Sequence, residues 1–163
     1  MSESNSKYKR LENLLKPKRF READEETAKI MVEIANKQSD GWLTAEDAEK
    51  FPHQELLTID DLWLRYSQGK FGISIQQQIY KNLGGTKEYS PSIWISFGDR
   101  TGWRHNGYWL SYNSIMSLYY DDLWSLYAPK GQLPLLGGWE QWGCEVGMFF
   151  PPLHSLPSLI SRI

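Results

Sequence analysis

The sequence lacks the residues that usually build disulfide frameworks and metal sites. Its single cysteine, Cys144, excludes an internal disulfide and favours a reducing compartment. Its three histidines are far apart, and none has a zinc-ligand spacing with that cysteine. The longest charge-free run, Val146 to Ser161, is too short to span a membrane and contains prolines. No signal or transit peptide is recognisable, so we expect a soluble cytoplasmic protein.

Positive charge is unevenly distributed along the chain. The net charge of -2 argues against a protein that binds nucleic acid by neutralising phosphates. No lysine or arginine lies between Lys130 and Arg162. The stretch from Lys7 to Arg21, in contrast, is rich in basic residues and has Glu12 as its one acid. A solvated helix face is the favoured interpretation, and peripheral contact with lipid headgroups stays an alternative.

Patterns that support catalysis are also scarce. The pairs Asp60-Asp61 and Asp121-Asp122 are adjacent in sequence, so their side chains diverge on a helix instead of sharing a site, and we interpret them as solvated or capping acids. The glycines near Gly72 lack the lysine and hydroxyl of a phosphate loop. No serine has the flanking glycines of a nucleophile elbow. We therefore predict that the chain is not an enzyme.

Apolar residues recur at helical spacing along most of the chain and predict an all-α fold. A length of 163 residues gives room for one compact domain, which we expect to comprise residues 8–163 after a disordered N-terminus at residues 1–7. Thr44 and Asp47 resemble a capping box. The predicted helices cover residues 8–15, 20–34, 56–66, 73–83 and 91–97, with further short helices expected at 116–126 and 153–163.

The segment from Phe97 to Tyr112 combines aromatic rings and glycines with two arginines. Glycine permits positive φ, so we expect a long irregular loop that holds flat rings at angles that a helix does not allow. Large rings beside guanidinium groups suit a flat apolar ligand with carboxylate arms. The alternative is a loop whose aromatic residues cover its own core.

Several short motifs occur together and in a recognisable order. The most specific are Asp60 to Trp63 and Phe71 to Gln76. They are accompanied by Gly41-Trp42-Leu43, Phe51-Pro52, Gly102-Trp103 and Ala128-Pro129-Lys130-Gly131-Gln132-Leu133-Pro134. With this set the chain resembles the genomes-uncoupled family of tetrapyrrole-binding regulators of magnesium chelatase, over residues 11–136.

The resemblance implies a helical cupped-hand domain whose concave side and long aromatic late loop hold a porphyrin. It implies binding of protoporphyrin, magnesium protoporphyrin or a linear bilin, without catalysis. The implied partner is the porphyrin-binding subunit of magnesium chelatase. A bacterial origin, in particular a cyanobacterial one, is expected because no transit peptide is recognisable.

The chain departs from the family pattern at several positions. The apolar pair that faces the porphyrin in relatives falls on Ala45 and Ala48, which predicts a wider or shallower pocket. A pocket tryptophan falls on Tyr112, and Gln132 stands where a histidine is usual. Two arginines expected to meet propionates fall near Glu140 and Gly143. These departures count against ordinary magnesium-protoporphyrin binding and against chelatase activation, in comparison with a typical member.

We therefore expect a noncatalytic tetrapyrrole carrier or sensor. Phe71, Trp63 and Ile59 are assigned to the core because they lie on periodic helices. The expected walls of the site are Trp103, Trp109, Tyr112, Trp139 and Trp142, with Arg100, Arg104 or Arg162 as replacement anion partners. One alternative is an interaction module that kept the scaffold and lost the pigment. Another is an enzyme acting on a small tetrapyrrole, with Asp99 or His105 as acid or base.

Overall fold

The computed structural model describes residues 4–41, 43–120, 125 and 127–136. These residues confirm the all-helical class, with a two-stranded antiparallel hairpin added between the last two helices. The elements are α1 Ser4–Leu15, α2 Phe20–Ile34, α3 Ala45–Lys50, α4 His53–Tyr66, α5 Ile73–Asn82, α6 Pro91–Thr101, β1 Arg104–His105, β2 Tyr108–Trp109 and α7 Tyr112–Tyr119.

Local sequence signals account for most helix boundaries. Helix α2 has the bounds that the apolar periodicity predicts. The capping box at the start of α3 is confirmed, because the Thr44 hydroxyl accepts from the Asp47 amide while the Asp47 carboxylate accepts from the Thr44 amide. Ser90 precedes α6, and Pro91 occupies its first turn as predicted.

Several boundaries differ from the prediction, among them the start of α4, which is His53 and not residue 56. Helix α1 begins at Ser4, so residues 4–7 are helical where we expected disorder, and Lys7 forms an ion pair with Glu55 of α4 at 3.0 Å. Helix α6 continues past Phe97 to Thr101. Helix α7 begins at Tyr112 because the Ser111 hydroxyl accepts from the Ser114 amide as an N-cap. The predicted helix at 153–163 lies outside the described residues.

The basic N-terminal stretch is neutralised within the fold. Five of its cations form ion pairs with glutamates on α1, α2 or α4, and the Lys18 ammonium donates to the backbone carbonyl of Tyr66. This pairing favours the interpretation of a solvated helix face over a patch that attracts lipid headgroups. The pairs are Lys7–Glu55, Arg10–Glu26, Lys16–Glu12, Arg19–Glu22 and Arg21–Glu25.

The core contains two clusters of aromatic rings. Phe71, Trp63 and Ile59 are at most 1% exposed, which confirms their assignment to the core. The first cluster joins α2, α4 and the start of α5, where the Trp63 indole N–H donates to the Thr27 hydroxyl at 3.0 Å. Its rings are Phe20, Trp63, Phe71 and Tyr120. The second cluster joins α5, α6 and the hairpin through Tyr80, Trp94, Phe97, Trp103 and Trp109.

An irregular segment at residues 131–136 passes through the interior and is buried along its whole length. Buried backbone groups need hydrogen-bond partners, and a segment without regular structure cannot supply them from within. Gly131 donates to the Lys70 carbonyl at 2.9 Å, and the Leu133 carbonyl accepts from the Gly72 amide at 3.1 Å. These two bonds tie the 131–136 segment to the turn between α4 and α5.

Side chains from α2 and α5 satisfy other groups of the 131–136 segment. The Gln76 amide donates to the carbonyls of Gly131 and Pro134, at 3.1 and 2.9 Å. One carboxylate oxygen of Asp24 accepts from the amides of Leu135 and Leu136, at 2.6 and 3.0 Å. Asp24 and Gln76 are fully buried, so each replaces water as the partner of main-chain groups.

The hairpin between α6 and α7 turns at Asn106 and Gly107, which both have positive φ (49° and 85°). Such an Asn-Gly pair is the preferred connection of a two-residue hairpin. Its strands pair Arg104 with Trp109 and His105 with Tyr108. The Trp109 ring packs against Gly98 of α6, where a Cβ atom would lie 2.6 Å from two ring carbons.

We predict that Asp24→Ala destabilises the fold strongly. The change leaves two buried amides without an acceptor, which costs about 2–4 kcal/mol in the free energy of unfolding. Urea denaturation followed by far-UV circular dichroism measures this loss. Asp61→Ala is the control, because Asp61 is exposed and pairs with Arg65 on the surface of α4. Equal stability of the two variants would contradict the role assigned to Asp24.

We predict that Gly98→Ala loosens the hairpin. Alanine improves helix propensity by about 1 kcal/mol, whereas overpacking a filled site costs about 1–3 kcal/mol. The clash involves a ring and not a flexible chain end, so we expect Trp109 to be displaced and stability to fall or stay level. Near-UV circular dichroism detects the displaced indole. Ser96→Ala, on the exposed face of the same helix, is the control, and an unchanged spectrum in Gly98→Ala would refute the packing argument.

Candidate functional site

The hairpin presents one face to α6 and the other to solvent. Arg104 and Trp109 are opposite each other on the two strands, so their side chains share the inner face. His105 and Tyr108 form the neighbouring pair and share the outer face. Tyr108 is 72% exposed and His105 is also exposed, so the outer face carries an open aromatic ring beside an imidazole.

Trp109 is half-buried and held from several directions. Its ring stacks on Trp94 at a centroid distance of 6.0 Å and an interplanar angle of 27°. The Arg104 guanidinium lies over the Trp109 ring, 5.5 Å from its centroid. Together with Gly98 these groups fix the plane of the indole and leave part of it accessible.

Arg104 itself is engaged by two further groups. Its Nη1 donates to the Asp99 carboxylate at 2.7 Å, and its Nη2 donates to the Gly107 carbonyl at 2.6 Å. The first bond joins the hairpin to the last turn of α6, and the second joins β1 to the hairpin turn. The expected anion partner Arg104 is thus part of the hairpin's attachment to α6.

Trp103 lies behind the hairpin and not on its surface. Its side chain is 0% exposed and packs edge-on against Phe97, with ring centroids 5.1 Å apart. Its indole N–H donates to the Gln132 carbonyl at 2.7 Å. In this structure Trp103 connects the hairpin to the 131–136 segment and has no surface available to a ligand.

Tyr112 is placed on the first turn of α7, beside α2, and is 6% exposed. Burial and the nearby carboxylates of Asp24 and Glu25 raise the pKa of Tyr112 above its usual range. Burial and Asp24 also raise the pKa of Tyr120, whose hydroxyl donates to the side-chain carbonyl of Gln132 at 2.7 Å. Both phenols therefore stay neutral, and Tyr120 acts as a donor to Gln132.

Asp60 is buried and has the capping role expected as one of two possibilities for the Asp60-Asp61 pair, although it caps α5 and not its own helix. Its carboxylate accepts from the Ser74 amide at 2.9 Å, at the N-terminus of α5. Burial raises the pKa of Asp60, and the bonds to the backbone of α5 oppose that shift. Through this bond Asp60 fixes the turn before α5 to helix α4. Its neighbour Asp61 is exposed.

The remaining predicted site residues do not converge on the hairpin. Arg100 is exposed near the end of α6, and helical geometry places it about 200° around the axis from Gly98, on the side away from Trp109. Ala48 is 1% exposed, so its methyl group is packed in the core. Ala45 begins α3. Trp139, Trp142 and Arg162 lie outside the described residues.

The charges next to Trp109 are paired with each other, because Arg104 binds the Asp99 carboxylate. Ile95, three residues before Gly98, lies on the neighbouring helix surface and is 42% exposed. This surface and the accessible part of Trp109 fit one face of a flat apolar ring.

In the described part of the chain, no group of three His, Cys, Asp or Glu side chains is placed to hold a metal ion. The described helices include none that is long and apolar enough to cross a membrane.

Sequence reasoning missed three residues on which this arrangement depends. Asp24 falls on the apolar stripe of α2 between Phe20 and Thr27. A charge on that stripe was the available signal for a buried polar role. Gln76 and Gly98 gave no comparable signal, because their partners are distant in sequence.

Curated relatives with detectable similarity come from red algae, cyanobacteria and plants. The chain is 34% identical to the protein Ycf53 of Pyropia yezoensis over 131 residues, which are 78% of this chain and 49% of that protein. It is 33% identical to a Ycf53-like protein of Synechocystis sp., over 79% of this chain and 51% of that protein. A shorter match, 35% over 72 residues, covers 43% of this chain and 27% of the chloroplastic tetrapyrrole-binding protein of Arabidopsis thaliana. The chain spans about half the length of the first two relatives.

Solved structures share the fold. The ligand-free structure of Arabidopsis thaliana GUN4 superposes with a TM-score of 0.70 at 24% identity, covering 99% of this chain and 95% of that one. GUN4 from Chlamydomonas reinhardtii superposes with a TM-score of 0.66 at 21% identity, covering 94% and 86%. The family model described as GUN4-like matches residues 1–147, which include every element described above. The chain belongs to the GUN4-like family.

Proposed function

We propose that the chain is a noncatalytic tetrapyrrole-binding protein that acts as a carrier or sensor. The observation that carries the proposal is the half-buried Trp109, fixed in plane by Trp94, Gly98 and Arg104 beside the exposed Ile95. The family and the tetrapyrrole-binding relative in Arabidopsis thaliana support the same ligand class.

The chain's own residues would bind one face of the pigment and orient it. Burial of an apolar ring contributes about 25 cal/mol per Å² of surface removed from water. An indole already held in place loses little conformational freedom when the ligand arrives, so more of that free energy is kept as affinity. When bound, the tetrapyrrole supplies the absorbing chromophore. Trp103 and Phe97 support the hairpin from behind.

The candidate pigments are protoporphyrin, magnesium protoporphyrin and a linear bilin. We propose the porphyrin-binding subunit of magnesium chelatase as the protein partner, because the family resemblance implies it.

A second candidate function is an interaction module without pigment. Two exposed tyrosines favour it: Tyr108 on the outer face of the hairpin is 72% exposed, and Tyr127 is 74% exposed. Exposed aromatic residues are enriched where proteins bind each other. The two functions use different surfaces of the hairpin, which makes them separable by mutation.

We expect saturable binding of at least one of the three pigments at micromolar concentration. Tryptophan fluorescence should be quenched and the pigment absorbance band should shift, because the ring enters a less polar site close to Trp109. A titration of the purified chain with each pigment measures both signals. Failure of all three pigments to saturate would refute the carrier function.

We expect Trp109→Ala to weaken pigment binding by about tenfold or more, since an aromatic contact that is lost at the centre of a site costs about 2 kcal/mol. Tyr108→Ala, on the outer face of the same hairpin, should bind pigment normally. Leu118→Ala, at an exposed position of α7, serves as the control for folding. The reverse pattern, in which Tyr108→Ala abolishes capture of a partner protein and neither variant affects pigment, would support the interaction module.

A further inference from the structure

We propose that Arg104 is a positioning residue for Trp109 and does not hold a carboxylate arm of the ligand. This inference rests on the proposed function, because it concerns how the hairpin meets a tetrapyrrole. It also gives a different role to one of the three arginines that we expected as alternative anion partners.

The first argument is the number of bonds that Arg104 already makes. Its two terminal nitrogens donate to different acceptors, the Asp99 carboxylate at 2.7 Å and the Gly107 carbonyl at 2.6 Å. A bidentate grip on a ligand carboxylate uses two donors of one guanidinium edge. These bonds use one N–H of each terminal nitrogen, and Nε is buried without a hydrogen-bond partner among the described residues, so the edge at Nε is closed to a carboxylate that arrives from solvent.

The second argument is accessibility. The Arg104 side chain is 11% exposed, whereas that of its partner Asp99 is 54% exposed. The guanidinium therefore lies beneath the surface, between Asp99 and the Trp109 ring. A group in that position is well placed to orient the ring and poorly placed to meet an acid arm that arrives from solvent.

The third argument is the geometry of the ring contact. Arg104 and Trp109 are a directly opposed cross-strand pair, and the guanidinium carbon lies 5.5 Å from the Trp109 centroid. The Arg104 Cδ and the Trp109 ring both approach Gly98, where a Cβ would meet them at 2.9 and 2.6 Å. Arg104 and Trp109 thus form one packed unit on α6, and the position of one depends on the other.

A comparison of protoporphyrin with its dimethyl ester tests the assignment. The ester keeps the ring and removes the two negative charges. The test variant is the double substitution Asp99→Asn with Arg104→Gln, which removes the pair without changing the net charge. Its matched control is Asp61→Asn with Arg65→Gln, which removes an exposed ion pair on α4 and is likewise charge-neutral.

The double variant at Asp99 and Arg104 should weaken binding of the acid and of the ester by the same factor, about threefold to tenfold, because it frees the Trp109 ring. The control variant should bind both as the unmodified chain does. A loss confined to the free acid would overturn the proposal, since it would show direct contact with a carboxylate. Equal binding of both pigments by all three proteins would overturn it as well.

A measurement without pigment keeps the two proposals distinguishable. The stacked Trp94 and Trp109 indoles should give an exciton signal in circular dichroism, which Trp109→Phe identifies by abolishing it. We expect this signal to fall in the Asp99 and Arg104 variant and to persist in the control. An unchanged signal would refute positioning even where pigment binds. If the unmodified chain binds none of the three candidate pigments, the proposed function fails, while the exciton signal still decides whether Arg104 orients Trp109.

Discussion

The structure depends on hydrogen bonding to a buried stretch of irregular backbone. The 131–136 segment forms neither helix nor strand, so its amides and carbonyls must find partners among residues that are distant in sequence. Asp24 accepts from two of its amides and Gln76 donates to two of its carbonyls, each from a fully buried position. Because an unpaired buried polar group is costly, these bonds decide where the segment lies relative to α2 and α5.

The hairpin is attached to the same interior segment. The Trp103 indole donates to the Gln132 carbonyl, which links the start of the hairpin to the 131–136 segment. On the other side of the hairpin, Trp109 and Arg104 pack on α6 at Gly98. The candidate ligand surface is therefore the outer end of a continuous packed path that begins at Asp24. Because of these contacts, the orientation of Trp109 depends on packing and hydrogen bonds in the core as well as on the hairpin itself.

The proposed site differs in several residues from the one that the family resemblance implies. Members share the fold, and the resemblance placed several aromatic residues and arginines at the ligand. In this chain Trp103 and Tyr112 are buried, and Arg104 is engaged within the protein. For the proposed ligand the hairpin provides an oriented indole close to the exposed Ile95 of α6, which favours recognition of the ring over recognition of its acid arms.

The sequence by itself determined the helical class, the bounds of α2, the cap of α3 and the proline start of α6. It also determined the burial of Trp63 and Phe71. These features follow from periodicity and from contacts between near neighbours. The sequence also determined the family, through an ordered set of short motifs. Only the tertiary structure decided which aromatic residues of the loop reach the surface and which arginine is already paired. Those outcomes depend on contacts between residues far apart along the chain, such as Trp103 with Gln132 and Asp24 with Leu135, and local patterns carry no information about distant partners.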